Sequence, residues 1–158
     1  MPRVLIIAYG NPLRSDDGVA WRAAEALRKQ FSPAEIEIEI DCLHQLSPEL
    51  AETASRFPCV IFVDAASLPE GHPGEIRVGE LGSKDPADSA THFSHALSPH
   101  AIVRLAETLY GAKPRAFAVT VTGQNFDYGE GLSPAIAAVL PHLVARIEVL
   151  VRDWDDAS

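Results

Sequence analysis

The sequence predicts an α/β protein, a three-layer αβα single domain over residues 1–158 with a mainly parallel twisted sheet of about five strands. Three observations carry this reading. Residues 3–9, 59–65 and 116–123 ("RVLIIAY", "CVIFVDA", "AFAVTVTG") are nearly continuous apolar runs, as strands buried on both faces should be. Segments with helical periodicity fall between them. Two further segments alternate apolar and polar residues, the mark of strands with one wet face. Strands alternating with helices imply helices packed on both faces of a sheet joined by right-handed crossovers.

The elements follow in chain order. Residues 3–9 form the first strand, and a Gly10-Asn11 turn follows. Residues 17–31 place Val19, Ala20, Ala23, Ala24, Leu27 and Phe31 on one helical face. "EIEIEI" (35–40) alternates strictly and reads as a strand near a sheet edge. Residues 47–57 open with Ser47-Pro48, a helix-start signal. After the buried run at 59–65, residues 74–81 alternate again. Residues 82–94 are loop-like and suit a mobile gate over a site. A helix is predicted over 98–110, behind Ser98-Pro99, and a long one over 133–154, behind Ser133-Pro134. Pro141 lies inside the latter, so a kink or break is expected there.

Composition narrows the function. The chain is 47% hydrophobic and 22% charged, that of a globular domain with a proper core. Its formal net charge of −9 argues against nucleic acid or anionic membrane as the main partner, since both need clustered Lys and Arg. No uninterrupted apolar run reaches the roughly 18 to 20 residues that span a bilayer, so no membrane segment is expected. The N-terminus lacks a small-residue cleavage site after its apolar run and reads as the first strand of a cytoplasmic protein. Cys42 and Cys59 form no metal-ligand or redox spacing and read as small buried hydrophobes.

In open α/β sheets, ligands bind beyond the carboxyl ends of the strands. Two acids, Asp16 and Asp17, follow the first strand where a helix begins. Asp16 suits a helix cap, and an acid in the first turn complements the helix dipole. Asp64 ends a buried strand, where a carboxylate is costly unless solvated, paired or bound to a cation; a structural and a functional role are both open. His92, His95 and His100 cluster in "THFSHALSPH" and could face the same crevice. Imidazole with carboxylates is a fitting set for nickel or zinc. His44, His72 and His142 have no such context. Neither HExxH nor GxSxG is present. "AYGNPLRSDDG" is not GxGxxG, and its two acids would repel a pyrophosphate. Asp41, at the end of the second strand, is slight evidence for a ribose contact.

Four motifs in order, "GNPLRSDDGV", "VDA", "SHALSP" and "GEGLSPAI", resemble the [NiFe]-hydrogenase maturation endopeptidases from about Val4 to Ile147. That family removes a C-terminal extension from the hydrogenase large-subunit precursor after nickel insertion. The resemblance implies that Asp17, Asp64 and His95 act together as catalytic, metal-contacting residues. His100 is the rival histidine, but the distance to Gly111 fits better from His95. It further implies no cofactor of the chain's own: the nickel contacted belongs to the precursor, the expected protein partner of a monomeric enzyme. Asp16 is left as the capping acid, worth on the order of 1 kcal/mol. Either Asp17 or Asp64 could be the general base. Two positions depart from relatives that often carry Gly, namely Ala8 and Ala20. Gly129 and Gly131, in the loop before the last helix, suggest a turn needing positive φ. An alternative with the same ligands is a non-catalytic nickel-sensing or chaperone-like module for a metalloprotein precursor. A nucleotide-binding domain is disfavoured by the acidic loop.

Overall fold

The computed structural model describes residues 3–32, 34–67, 71–82 and 97–157. The elements are β1 (Arg3–Tyr9), a 3-10 turn (Ser15–Gly18), α1 (Val19–Gln30), β2 (Glu37–Leu43), α2 (Leu50–Ser55), β3 (Cys59–Ala66), β4 (Ile76–Leu81), α3 (Pro99–Tyr110), β5 (Arg115–Thr122) and α4 (Pro134–Asp153), followed by a 3-10 turn over Trp154–Ala157. The five strands lie in the order β2-β1-β3-β5-β4. All neighbours are parallel except β4, which runs antiparallel to β5. The sheet is therefore mixed but mostly parallel, as expected.

The continuous apolar runs are explained by burial on both faces. Val4, Ile6 and Ala8 of β1 and Ile61 and Val63 of β3 face a core shared with α1 and α4. Leu5, Ile7, Val60 and Phe62 face the opposite core, shared with α2 and α3. β2 lies at an edge. Its Ile38 and Ile40 pack against the α1 side, while Glu37 and Glu39 are exposed. The strand runs on to Leu43 in register with β1, so Asp41 lies inside it rather than at its end.

The start of α3 matches its sequence signal. The Ser98 hydroxyl accepts from Ala101 N–H at 3.1 Å, and Gly111 closes α3 with φ 67°. α2 is shorter than its signals suggest, because residues 47–50 form a tight turn with Leu50 N–H bonded to the Ser47 carbonyl.

α4 corrects one expectation. It is not broken at Pro141. The proline removes the bond to the Ala137 carbonyl, but Ala137 is exposed and water can serve that group. The helix is also long and apolar enough, by length and composition, to cross a membrane. Here its apolar face, with Ile136, Leu143, Val144, Ile147 and Val151, is used in the core instead. Because Pro141 is exposed and costs a helical hydrogen bond, Pro141→Ala should stabilise the protein by about 1–3 kcal/mol, read as a higher urea midpoint.

Candidate active site

The strand order reverses between β1 and β3: β2 follows β1 on one side, and β5 follows β3 on the other. The crevice beyond their carboxyl ends is where ligands bind in such sheets. Tyr9 ends β1 and Asp64 lies near the end of β3, one step past the Ala8–Val63 register pair. The turn after β1 brings Asp17 to the same place.

Asp17 is held by its own loop. Its Oδ2 accepts from Asn11 N–H at 2.8 Å, and its N–H donates to the Arg14 carbonyl at 3.1 Å. Gly10, with φ 142°, lets the chain pass here, because a β-carbon would collide with the Asp17 carbonyl. Asp17 is half-buried, and its charge reaches Asp64.

Asp64 accepts from Ala65 N–H at 2.8 Å and from the Tyr9 hydroxyl. Its carboxyl is pushed up to about 7, chiefly by burial and further by Asp17, against the two hydrogen bonds that favour its charged form. Tyr9 is raised in turn by burial and by the Asp64 charge, so it stays a hydrogen-bond donor. Sequence reasoning missed Tyr9. The available signal was a hydroxyl-bearing side chain closing a buried strand.

Asp16 has a different role from the expected cap. It is fully buried, and neither the 3-10 turn nor α1 receives a side-chain cap from it. The turn aims the carboxylate away from α1 and toward the loop over 123–133. There Oδ2 accepts from Gln124 N–H, Asn125 N–H and the Ser133 hydroxyl, and Oδ1 from Ser133 N–H, all at 2.8 Å. Burial works to raise this carboxyl, but the donors from Ser133, Asn125 and Gln124 prevail and hold it below the usual carboxylate range. Ser133 stands at the N-cap position of α4 yet spends its hydroxyl on Asp16.

The two loops are also joined through their backbones. Ser15 N–H donates to the Gly129 carbonyl, Asp16 N–H to Asn125 and Gly129 N–H to Leu13, at 2.8–2.9 Å. The Ser15 hydroxyl donates to the Asp127 carbonyl at 2.8 Å. Ser15 holds φ 52°, a left-handed conformation unusual for serine, and Gly131 has φ 94° as its position suggested.

His95 and His92 lie outside the described residues, as does most of the loop over 82–94. His100 is half-buried in the first turn of α3. Among the described residues, no three His, Cys, Asp or Glu side chains form a metal-holding group. Cys59 is buried, and its thiol is pushed up to about 12, chiefly by burial, which leaves it unreactive. A groove of about 510 Å³ between the end of α1 and the start of β2 is lined by Leu27, Phe31, Ile36, Ile38 and Ile40 with Arg28 and Glu37. It is remote from the strand-end crevice and lacks convergent polar groups.

HybD, a hydrogenase maturating endopeptidase from E. coli, superposes with a TM-score of 0.72 at 23% identity, covering 96% of this chain and 93% of that one. HycI, a [NiFe] hydrogenase maturation protease from Thermococcus kodakarensis, gives 0.73 at 20% identity over 95% and 92%. The chain has the fold of the [NiFe] hydrogenase maturation proteases. HybD from Thermococcus kodakarensis shares it, with a TM-score of 0.69 at 20% identity over 94% of this chain and 99% of that one. No protein-family profile and no curated protein sequence matches the chain. Within this fold, Asp17 and Asp64 occupy the sheet's switch point, the place a ligand is expected.

Two substitutions separate the acids. Asp16→Asn turns an amide toward donors and should cost about 2–4 kcal/mol at pH 7, well above a simple cap. Because the folded carboxyl is depressed, that contribution is present above the unfolded value near 4 and fades as pH falls further. Asp64 has the opposite sign. Its folded carboxyl is raised, so wild-type stability falls as pH rises from about 4 to about 7, and the cost is complete above that. Asp64→Asn should therefore be more stable than wild type by about 1–3 kcal/mol at pH 8 and nearly equal to it at pH 4, by urea unfolding.

Proposed function

We propose that the chain is a cytoplasmic, monomeric endopeptidase that removes a C-terminal extension from a [NiFe]-hydrogenase large-subunit precursor once nickel is in place. The observation that carries this reading is the meeting of Asp17 and Asp64 at the switch-point crevice of this fold. Asp17, Asp64 and His95 would contact the nickel that the substrate brings.

The electrostatics support a site that reads a cation. Asp64 is half-buried beside a second carboxylate, and both burial and that neighbour oppose its ionisation. A cation on the substrate offsets that cost; a precursor without nickel leaves it standing. A carboxylate oxygen left free by the nickel would take a proton from the water that attacks the scissile carbonyl and return it to the amine nitrogen as the C–N bond breaks. Asn11 and Tyr9 hold the two acids while this happens.

The test is the intact mass of the precursor, with and without nickel, after incubation with the protein. A nickel-dependent loss of a C-terminal peptide is expected, slowed at least 100-fold by Asp17→Asn in a variant with wild-type circular dichroism. Binding of the loaded precursor with no change in mass would replace this reading with a non-catalytic sensing module. A protein that neither binds nor cuts the precursor would refute both readings.

A further inference from the structure

We propose that Leu13, Arg14 and Tyr128 form a docking rim that grips the folded body of the protein substrate while its tail enters the crevice. The inference rests on the processing-protease reading and names the surface that reading needs. Tyr128 is 86% exposed and Leu13 54% exposed, although both belong to loops held by multiple hydrogen bonds. The Arg14 guanidinium carbon lies 5.6 Å from the centre of the Tyr128 ring, and its Nε donates to the Phe126 carbonyl at 3.3 Å. Arginine and tyrosine are enriched among the residues that dominate binding energy at protein interfaces, and Leu13 adds exposed apolar surface beside them. Their backbones are already fixed, so little ordering entropy is lost on binding.

The rim is continuous with the site. Asp17 Oδ2 accepts from Asn11 N–H, and Asn11 Oδ1 accepts from Leu13 N–H at 2.9 Å. The Leu13 carbonyl accepts from Gly129 N–H, next to Tyr128. A body seated on Leu13 and Tyr128 therefore sits at a set distance from Asp17. Charge selects the occupant. Arg14 lies against the loop that carries exposed Asp127 and Glu130, so the surface is mixed in sign. Nucleic acid and anionic lipid demand clustered positive charge, whereas a protein face accommodates such a mixture.

The test is a Leu13→Ala/Tyr128→Ala double variant, both side chains being exposed and the melting temperature expected to stay at the wild-type value. Titration calorimetry with the nickel-loaded precursor should give a Kd at least tenfold weaker. Cleavage should show KM raised at least tenfold with kcat within twofold of wild type. A Kd and KM within twofold of wild type would overturn the rim and leave the protease reading intact. If wild type binds the precursor without cutting it, the protease reading fails and the Kd ratio alone decides the rim. If wild type neither binds nor cuts, the occupant named here is wrong and the rim falls with it.

Discussion

One buried carboxylate organises the site end of the molecule. Asp16 is fully buried and answers four donors from a loop more than a hundred positions away in the chain. Burying an unpaired carboxylate would be prohibitive, so the loop over 123–133 must close on it whenever the domain is folded. That closure fixes the left-handed Ser15 and the start of α4, and it sets the turn from which Asp17 reaches the crevice. Gly123 suits the close contact, because a β-carbon there would stand 2.6 Å from the tip of the Phe126 ring, which would have to shift, and 3.1 Å from the Asp16 β-carbon.

The adjacent acids thus divide the labour by direction. Asp16 points into the protein and is satisfied; Asp17 points to the crevice, beside an Asp64 whose ionisation is opposed. A protein optimised for stability alone would not place Asp64 there. Local electrostatic conflict that the rest of the fold tolerates is a common property of sites where chemistry or binding occurs.

Much of the fold was legible because its causes are local. Leu5 and Ile7 on one face of β1, with Val4 and Ile6 on the other, make a strand buried on both sides visible as an unbroken apolar run. Ser98-Pro99 announces α3 with its own atoms. Where causes are distant, the sequence reading stopped short. Asp16 looks like a cap to anyone who sees only its neighbours, since its true partners are Gln124, Asn125 and Ser133. The extension of β2 through Asp41 to Leu43 is set by pairing with β1, not by its own pattern. Asp64 stood out because a charge closing a buried strand violates a local rule. Tyr9 did not, because its hydroxyl matters only once β1 and β3 lie side by side.

The span of the Asp16 contacts also bears on how the protein is made. Synthesis proceeds from the N-terminus, so Asp16 and Asp17 leave the ribosome long before Gln124, Asn125 and Ser133. Contacts of such separation cannot form until both partners have been synthesised. A nascent chain therefore holds the N-terminal acids without the clamp that shapes their loop. The crevice is finished only when the segment before α4 has emerged and docked.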